Sequence, residues 1–170
     1  MVARPVWRSS HRACLVPLIA GDIEELAALY ADAEVMRGSS GFAIPRDRAA
    51  GEQWLQRTLA VPSTDAWVTF RVDDRSSRTF LGRCGLRRED GSQETELASA
   101  FVRAAWGRGV ATEASAVVRH GFDTGLTRIV GCALAGNGTS LRILEKVGMR
   151  RTREDLTSTG VVIRYEMERL

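Results

Sequence analysis

The segment Trp106-Gly-Arg-Gly-Val-Ala-Thr-Glu113 separates a run with strand period from a run with helical period, and it restricts the fold more tightly than any other stretch. Before it, about Glu94 to Arg103 reads as a strand. After it, Val110, Ala114, Val117, Val118, Gly121 and Phe122 recur at i, i+4, i+7, i+8, i+11 and i+12. That spacing predicts one long amphipathic helix beginning near Gly109, with Gly125 as its C′ residue. Glycines at 107 and 109 let backbone N–H groups converge without interference from Cβ. A helix start adds unpaired donors and a partial positive charge, which together favour a phosphate or pyrophosphate. Arg108 would add a charge-assisted contact. A plain strand-to-helix turn explains the same glycines equally well.

The remaining punctuation predicts a mixed sheet with helices on its faces. Ala13 to Leu18 is a first strand. Asp22, with Glu25 three residues on, reads as a helix N-cap, and Ile23, Leu26, Ala27 and Tyr30 follow at helical spacing. Residues 37–45 are a Gly/Ser-rich loop. A second helix after Asp47 turns Trp54, Leu55, Thr58 and Leu59 toward the core and ends before Pro62. The period then changes to two over Ala66–Val72 and Thr79–Leu86, and turns at 73–77 and 89–92 make an antiparallel meander with the 94–103 strand. Arg128–Leu134 is a short apolar run suited to a buried parallel strand. A loop over 135–140, a short helix carrying Leu141, Leu144 and Val147, and a hairpin turning at Ser158–Gly160 complete the chain. The predicted order is βααβββαβαββ, an α/β (α+β) chain with six to seven strands.

Composition removes several classes. A length of 170 residues suits one domain, here 1–170, with a sizeable core. No stretch approaches ~18 uncharged apolar residues, so no membrane-spanning helix is expected. The N-terminal segment has no apolar h-region, and a secretory signal is not expected. Cys14, Cys84 and Cys132 form an odd, widely spaced set, read as reduced thiols of a cytoplasmic protein. Lys146 is the one lysine among 24 basic residues, and the net charge is +3. The arginine bias suits a phosphate-bearing partner or reflects codon composition. No basic run with interleaved aromatics marks a nucleic-acid surface. His11 and His120 are far apart, so no metal site is expected. Cys132 reads as a small core residue, and Cys84 has no His or Asp partner for covalent catalysis.

Two familiar phosphate loops fail against 106–113. A dinucleotide fingerprint would need glycine where Thr112 stands, and a P-loop would need a Lys-Ser/Thr pair that Lys146 does not supply. WGRGVATEA at 106–114 instead resembles the pyrophosphate loop of the Gcn5-related N-acetyltransferase superfamily. Within it the match is to the RimJ/RimL-like group, which acetylates ribosomal-protein N-termini. Leu15-Val-Pro-Leu18 with Asp22, Tyr30–Arg37, Phe80–Leu86, and Asn137–Ser140 followed by Leu144–Gly148 are similar to that group's other segments, in order over nearly the whole chain. Ser99 stands where the group has Tyr, on a strand expected to border the acceptor site. Met149 replaces Phe, and Ala104-Ala105 replace polar residues.

The resemblance implies direct transfer of acetyl from acetyl-CoA, as co-substrate, to a primary amine, with no metal. The acceptor would be a peptide N-terminus, or alternatively a small amine; a non-catalytic acyl-CoA-binding module is the rival reading. Phe101 and Val102 would offer backbone groups to pantetheine and the thioester. Gly107, Arg108, Gly109, Val110, Ala111 and Thr112 would cradle the pyrophosphate, and Asn137 would bond the pantetheine arm. Glu96 is the candidate base, its alternative an exposed strand carboxylate. Ser140 is the candidate acid for the departing thiolate, its alternative a helix N-cap. Trp54 and Trp67 read as core, with Trp54 also placed to line the acceptor cleft. Relatives imply a monomer or homodimer.

Overall fold

The computed structural model describes residues 6–38, 48–60, 67–88 and 93–169; the expected loop at 37–45 and turn at 89–92 fall largely or wholly outside them. Eight strands form one sheet in the order β1-β2-β3-β4-β5-β6-β8-β7. They are β1 (Arg8–Ser9), β2 (Ala13–Pro17), β3 (Thr69–Asp74), β4 (Phe80–Arg88), β5 (Thr95–Phe101), β6 (Arg128–Leu134), β7 (Arg150–Thr157) and β8 (Gly160–Glu168). Every neighbouring pair is antiparallel except β5 and β6. The count exceeds the expected six to seven because β1 is two residues long with no alternation to reveal it. It forms where Trp7 stacks on Phe70 at 4.3 Å between ring centroids.

Helices cover both faces. On one side α1 (Ile23–Ala31), α2 (Ala33–Arg37) and α3 (Arg48–Leu59) close a small core of Leu18, Leu26, Leu29, Leu55 and Phe80. On the other, α4 (Val110–Ala114), α5 (Val117–Asp123) and α6 (Gly138–Val147) cover Phe70, Val72, Leu86, Leu97 and Ile129. Leu59, expected in the core, is exposed at the end of α3. Among the described residues no helix is long and apolar enough to cross a membrane.

The single long helix expected after Gly109 is two helices. The apolar stripe is as anticipated, with Val110, Ala114, Val117 and Val118 all buried. At the break, Ser115 Oγ donates to the Ala111 carbonyl at 2.8 Å, and Val118 and Arg119 bond three residues back rather than four. A serine bonded to its own preceding turn tightens and bends a helix. Gly125 ends α5 as expected: Leu126 N–H reaches Gly121 O, and Gly125 N–H reaches Phe122 O.

Asp22 stands at the N-cap position of α1, as expected, but its side chain makes no cap hydrogen bond. Its side chain is fully buried, accepting from Ile19 N–H at 2.8 Å and from Arg71 Nη1 at 2.9 Å. Arg71, on β3, also pairs with Glu25 and with Asp73, and lies over the Phe80 ring. Burial disfavours its charge, but bonds from Glu25 and Asp73 outweigh that and hold the guanidinium above its ordinary range. One arginine thus pins the start of α1 to the sheet. Removing one partner of a buried ion cluster strands the others. Arg71→Gln is therefore expected to cost about 3 kcal/mol in urea unfolding.

Glu113 performs the same service on the other face. Its carboxylate accepts from Ser10 Oγ at 2.6 Å, from Arg12 N–H at 2.8 Å and from the Arg12 guanidinium, tying the β1–β2 turn to α4. Burial acts to raise its pKa, yet these bonds prevail and lower it from 4.5. A depressed carboxylate stabilises the fold above its unfolded value, and that contribution fades as pH falls through the folded one. The melting-temperature gap between wild type and Glu113→Gln should be full above the ordinary value of 4.5 and shrink progressively in more acidic buffers.

Candidate active site

β5 and β6 share a single register pair, Glu96 with Val130. Beyond it the strands part, and a cleft of about 1080 Å³ opens between them. Val102 N–H donates to Leu81 O on β4. Because backbone groups alternate sides along a strand, those of Leu97, Ser99 and Phe101 face away from β4, toward the opening. Side chains alternate as well. Leu97 and Phe101 pack under the α4–α6 layer, whereas Glu96, Ala98 and Ala100 share the α1–α3 face with Arg83 and Arg87. The cleft therefore communicates with both faces of the sheet.

Its α4 side begins at the glycine loop. Gly107 and Gly109 adopt φ of +70° and +78°, a region that L side chains rarely enter. Gly109 is the N-cap of α4, and the first intrahelical acceptor it supplies goes to Glu113 N–H. The N–H groups of Val110, Ala111 and Thr112 thus precede the helical ladder and have no partner within it. A guanidinium flanks this loop, but it belongs to Arg12, whose Nη1 lies 3.9 Å from where a Gly109 Cβ would stand. Arg108, expected to face the anion, turns outward to Asp74 Oδ2 at 2.9 Å and Ala104 O at 3.3 Å. Its spacing in the loop revealed proximity, while the direction was set by a carboxylate on the β3–β4 turn.

Of the residues singled out from sequence, Glu96, Phe101, Gly107, Gly109, Val110, Ala111, Thr112, Asn137 and Ser140 line this cleft; Val102 and Arg108 do not. Val102 spends its N–H on Leu81 and borders a smaller hollow beside α1. The Phe101 carbonyl is held by Trp106 Nε1 at 2.9 Å, which leaves its N–H as the group that faces the opening. Asn137, rather than Ser140, is the N-cap of α6: its Oδ1 accepts from Ser140 N–H at 3.1 Å, and its Nδ2 donates to Gly38 O at 2.9 Å. Ser140 Oγ has no hydrogen-bond partner among the described residues. Arg142 and Lys146, one turn apart on α6, also line the cleft and are exposed. Neither was marked from sequence, although the isolation of Lys146 as the one lysine was visible there.

Glu96 is 9% exposed, and its Oε2 accepts from Arg87 Nη2 at 2.6 Å and Nε at 3.1 Å. It is an anchored carboxylate, not an exposed strand residue. Ser99 lies three positions along β5 and so faces the opposite layer from Glu96, while Glu96, Ala98 and Ala100 share the face covered by α1–α3. Cys132, opposite on β6, shares the Glu96 face. Burial, reinforced by the charge of Glu96, pushes its thiol up to about 11. Burial pushes Cys84 up to about 12. Both thiols are protonated near neutrality, and a protonated thiol is a poor nucleophile.

Comparisons with known proteins converge on this architecture. The model of the acetyltransferase (GNAT) domain family matches residues 12–150. An uncharacterised protein of Bacillus subtilis, YkkB, is 30% identical over 125 residues, 71% of each chain. The spermidine N-acetyltransferase of Vibrio cholerae, solved with CoA and spermine, superposes with a TM-score of 0.77 at 16% identity, covering 94% of this chain and 96% of its own. The ribosomal-protein-S5-alanine acetyltransferase of Vibrio fischeri also gives 0.77, at 12% identity over 96% of each chain. At those identities the two structures speak for the fold. Taken with the match over residues 12–150, the chain belongs to the acetyltransferase (GNAT) family, whose members draw their acetyl group from acetyl-CoA.

Proposed function

We propose that this chain moves acetyl from acetyl-CoA directly to an α-type primary amine, with a peptide N-terminus as the leading acceptor and a small amine as the alternative. The observation that carries the reading is the opening between β5 and β6, which has an unpaired strand edge on one wall and a helix start at its end. An extended pantetheine arm suits such an edge, because it accepts main-chain hydrogen bonds as an added strand would. The N–H groups of Val110, Ala111 and Thr112 would receive the pyrophosphate. Arg142 and Lys146 would neutralise phosphate charge from the α6 wall. Asn137 would exchange its bond to Gly38 for one to the pantetheine amide.

The N–H of Ser99 or Phe101 would stabilise charge developing on the thioester oxygen, as fixed backbone donors do in acyl transfer. Glu96, oriented by Arg87, would accept the proton leaving the amine, directly or through water. An α-amino group with an ordinary pKa of ~7.7–8.0 is already substantially unprotonated near neutrality, so a carboxylate shared with a guanidinium suffices. Ser140 Oγ would donate to the departing thiolate. A cytoplasmic setting fits three cysteines that are all free thiols. The segments similar to those of the RimJ/RimL-like group support the peptide acceptor.

Acetyl-CoA should raise the melting temperature of the wild type, and Ala111→Trp, which fills the loop, should abolish the rise. An undiminished rise would remove the loop from the binding site. Glu96→Gln should retain the acetyl-CoA shift while lowering kcat about 10²-fold in an assay of CoA release over peptides and small amines.

A further inference from the structure

β4 places Arg83 on the acceptor-side face of the sheet, with its guanidinium between two aromatic rings. The guanidinium carbon lies 5.7 Å from the Tyr30 ring centroid and 5.3 Å from that of Trp54, and Nε donates to the Tyr30 hydroxyl. The two rings stand edge to face, 6.3 Å apart, joining α1 to α3 above it. Other arginines around it are matched: Arg71, Arg87, Arg103 and Arg108 each pair with a carboxylate. Arg83 alone of this group has no carboxylate partner among the described residues, and its two Nη groups make no hydrogen bond there. It is half-buried and lines the cleft.

The surface beside it is cleared. Arg83 faces Ala100 across the β4–β5 ladder, Gly85 faces Ala98, and Arg87 faces Glu96. Between Arg83 and the Arg87–Glu96 pair, therefore, the β4–β5 ladder itself carries nothing larger than a methyl group, and Thr69 of β3 borders it at Gly85. Ala100 and Glu96 are four residues apart, about 13 Å of strand. A floor of that length has, at one end, a cation with no carboxylate partner among the described residues and, at the other, the candidate base.

We infer that Arg83 binds an anionic group, carboxylate or phosphate, carried by the amine acceptor, whose amine end is directed toward Glu96. This rests on the amine-acetylation reading and names its substrate class. A guanidinium offers a planar pair of donors matched to either oxyanion. The two rings against it hold it in place by cation–π attraction. The same charge repels a polycation, so the acceptor is zwitterionic and spermidine is a poor substrate.

The test compares matched acceptors by kcat/KM with acetyl-CoA: 4-aminobutyrate against 4-aminobutanamide, phosphoethanolamine against ethanolamine, Ala-Asp-Ala amide against Ala-Asn-Ala amide, and spermidine alone. The charged member of at least one pair should be preferred tenfold or more, and the identity of that pair distinguishes carboxylate from phosphate and free from peptide-borne. Arg83→Gln should bring that ratio close to one, mainly through KM, and Arg83→Lys, which keeps the charge and the packing, should restore part of it. Equal use of charged and neutral members by the wild type, a ratio that survives in Arg83→Gln, or spermidine as the best acceptor would overturn the inference and leave acetyl transfer standing. If no amine is acetylated although acetyl-CoA raises the melting temperature, the transfer reading fails separately. Arg83 is then judged by binding in the presence of CoA: a shift with the charged members only, lost in Arg83→Gln, supports it, and equal shifts overturn it.

Discussion

The parting of β5 from β6 after Glu96 and Val130 governs what this molecule can do. Each strand is fully laddered on its outer side, β5 to β4 and β6 to β8, so both sheet halves are stable without the missing pairs. The inner edges are left with polar backbone groups that must find water or a ligand, since a buried unpaired N–H or C=O is costly. A sheet that continued its ladder here would be more regular and would have no site. The helices follow the same logic: α4 and α6 reach the opening from one face and α1 with α2 reach it from the other, so each wall of the cleft is set by a different packing layer.

Arginine content makes sense once charges are assigned to places. Arg71 and Arg164 are nearly buried and saturated by carboxylates, Arg71 by Asp22, Glu25 and Asp73, Arg164 by Glu94 and Glu166. Hydrogen bonds to those carboxylates hold both guanidinium groups above their ordinary range although burial opposes it. Most of the ion-paired arginines fasten one element to another, and Arg87 orients Glu96. Along the cleft, the basic residues without a carboxylate partner among the described residues are Arg83 on β4 and Arg142 and Lys146 on α6.

Much of this was legible in the chain because it depends on local rules. The strand alternation, the glycines that take positive φ at 107 and 109, the Gly125 ending of α5 and the closing hairpin all follow from residues a few positions apart. The WGRGVATEA segment pointed to a loop that lines the cleft. What was missed depends on partners distant in sequence. Asp22 has the composition of an N-cap, but Arg71, 49 residues on, outcompetes the helix for it. Arg108 is captured by Asp74, and the cation beside Gly109 comes instead from Arg12, in a turn anchored by Glu113. The break at Ser115 escaped notice because the apolar stripe runs through it unaltered. Arg83, Arg142 and Lys146 carry no local signature: only the register of β4 and the placement of α6 reveal that they face the cleft.

The two raised thiols bear on the order of events. Cys132 is the sulfur beside Glu96 on the cleft wall, and at about 11 its thiol is a weak candidate for taking an acetyl group covalently. Ser140 is near the same wall, but among the described residues none is bonded to its hydroxyl as a base would be. In the proposed reaction the acetyl group would then have no intermediate station on these residues, and the amine would meet the thioester while both substrates are bound. A cleft open to both faces of the sheet serves that requirement. In that reading the glycine loop and the α6 cations would face acetyl-CoA, and the Glu96–Ala98–Ala100 floor would face the amine. They meet where β5 turns its unpaired N–H groups into the gap. In the proposed reaction the opening meets one constraint: direct transfer would need simultaneous occupancy, and simultaneous occupancy needs a sheet that does not close.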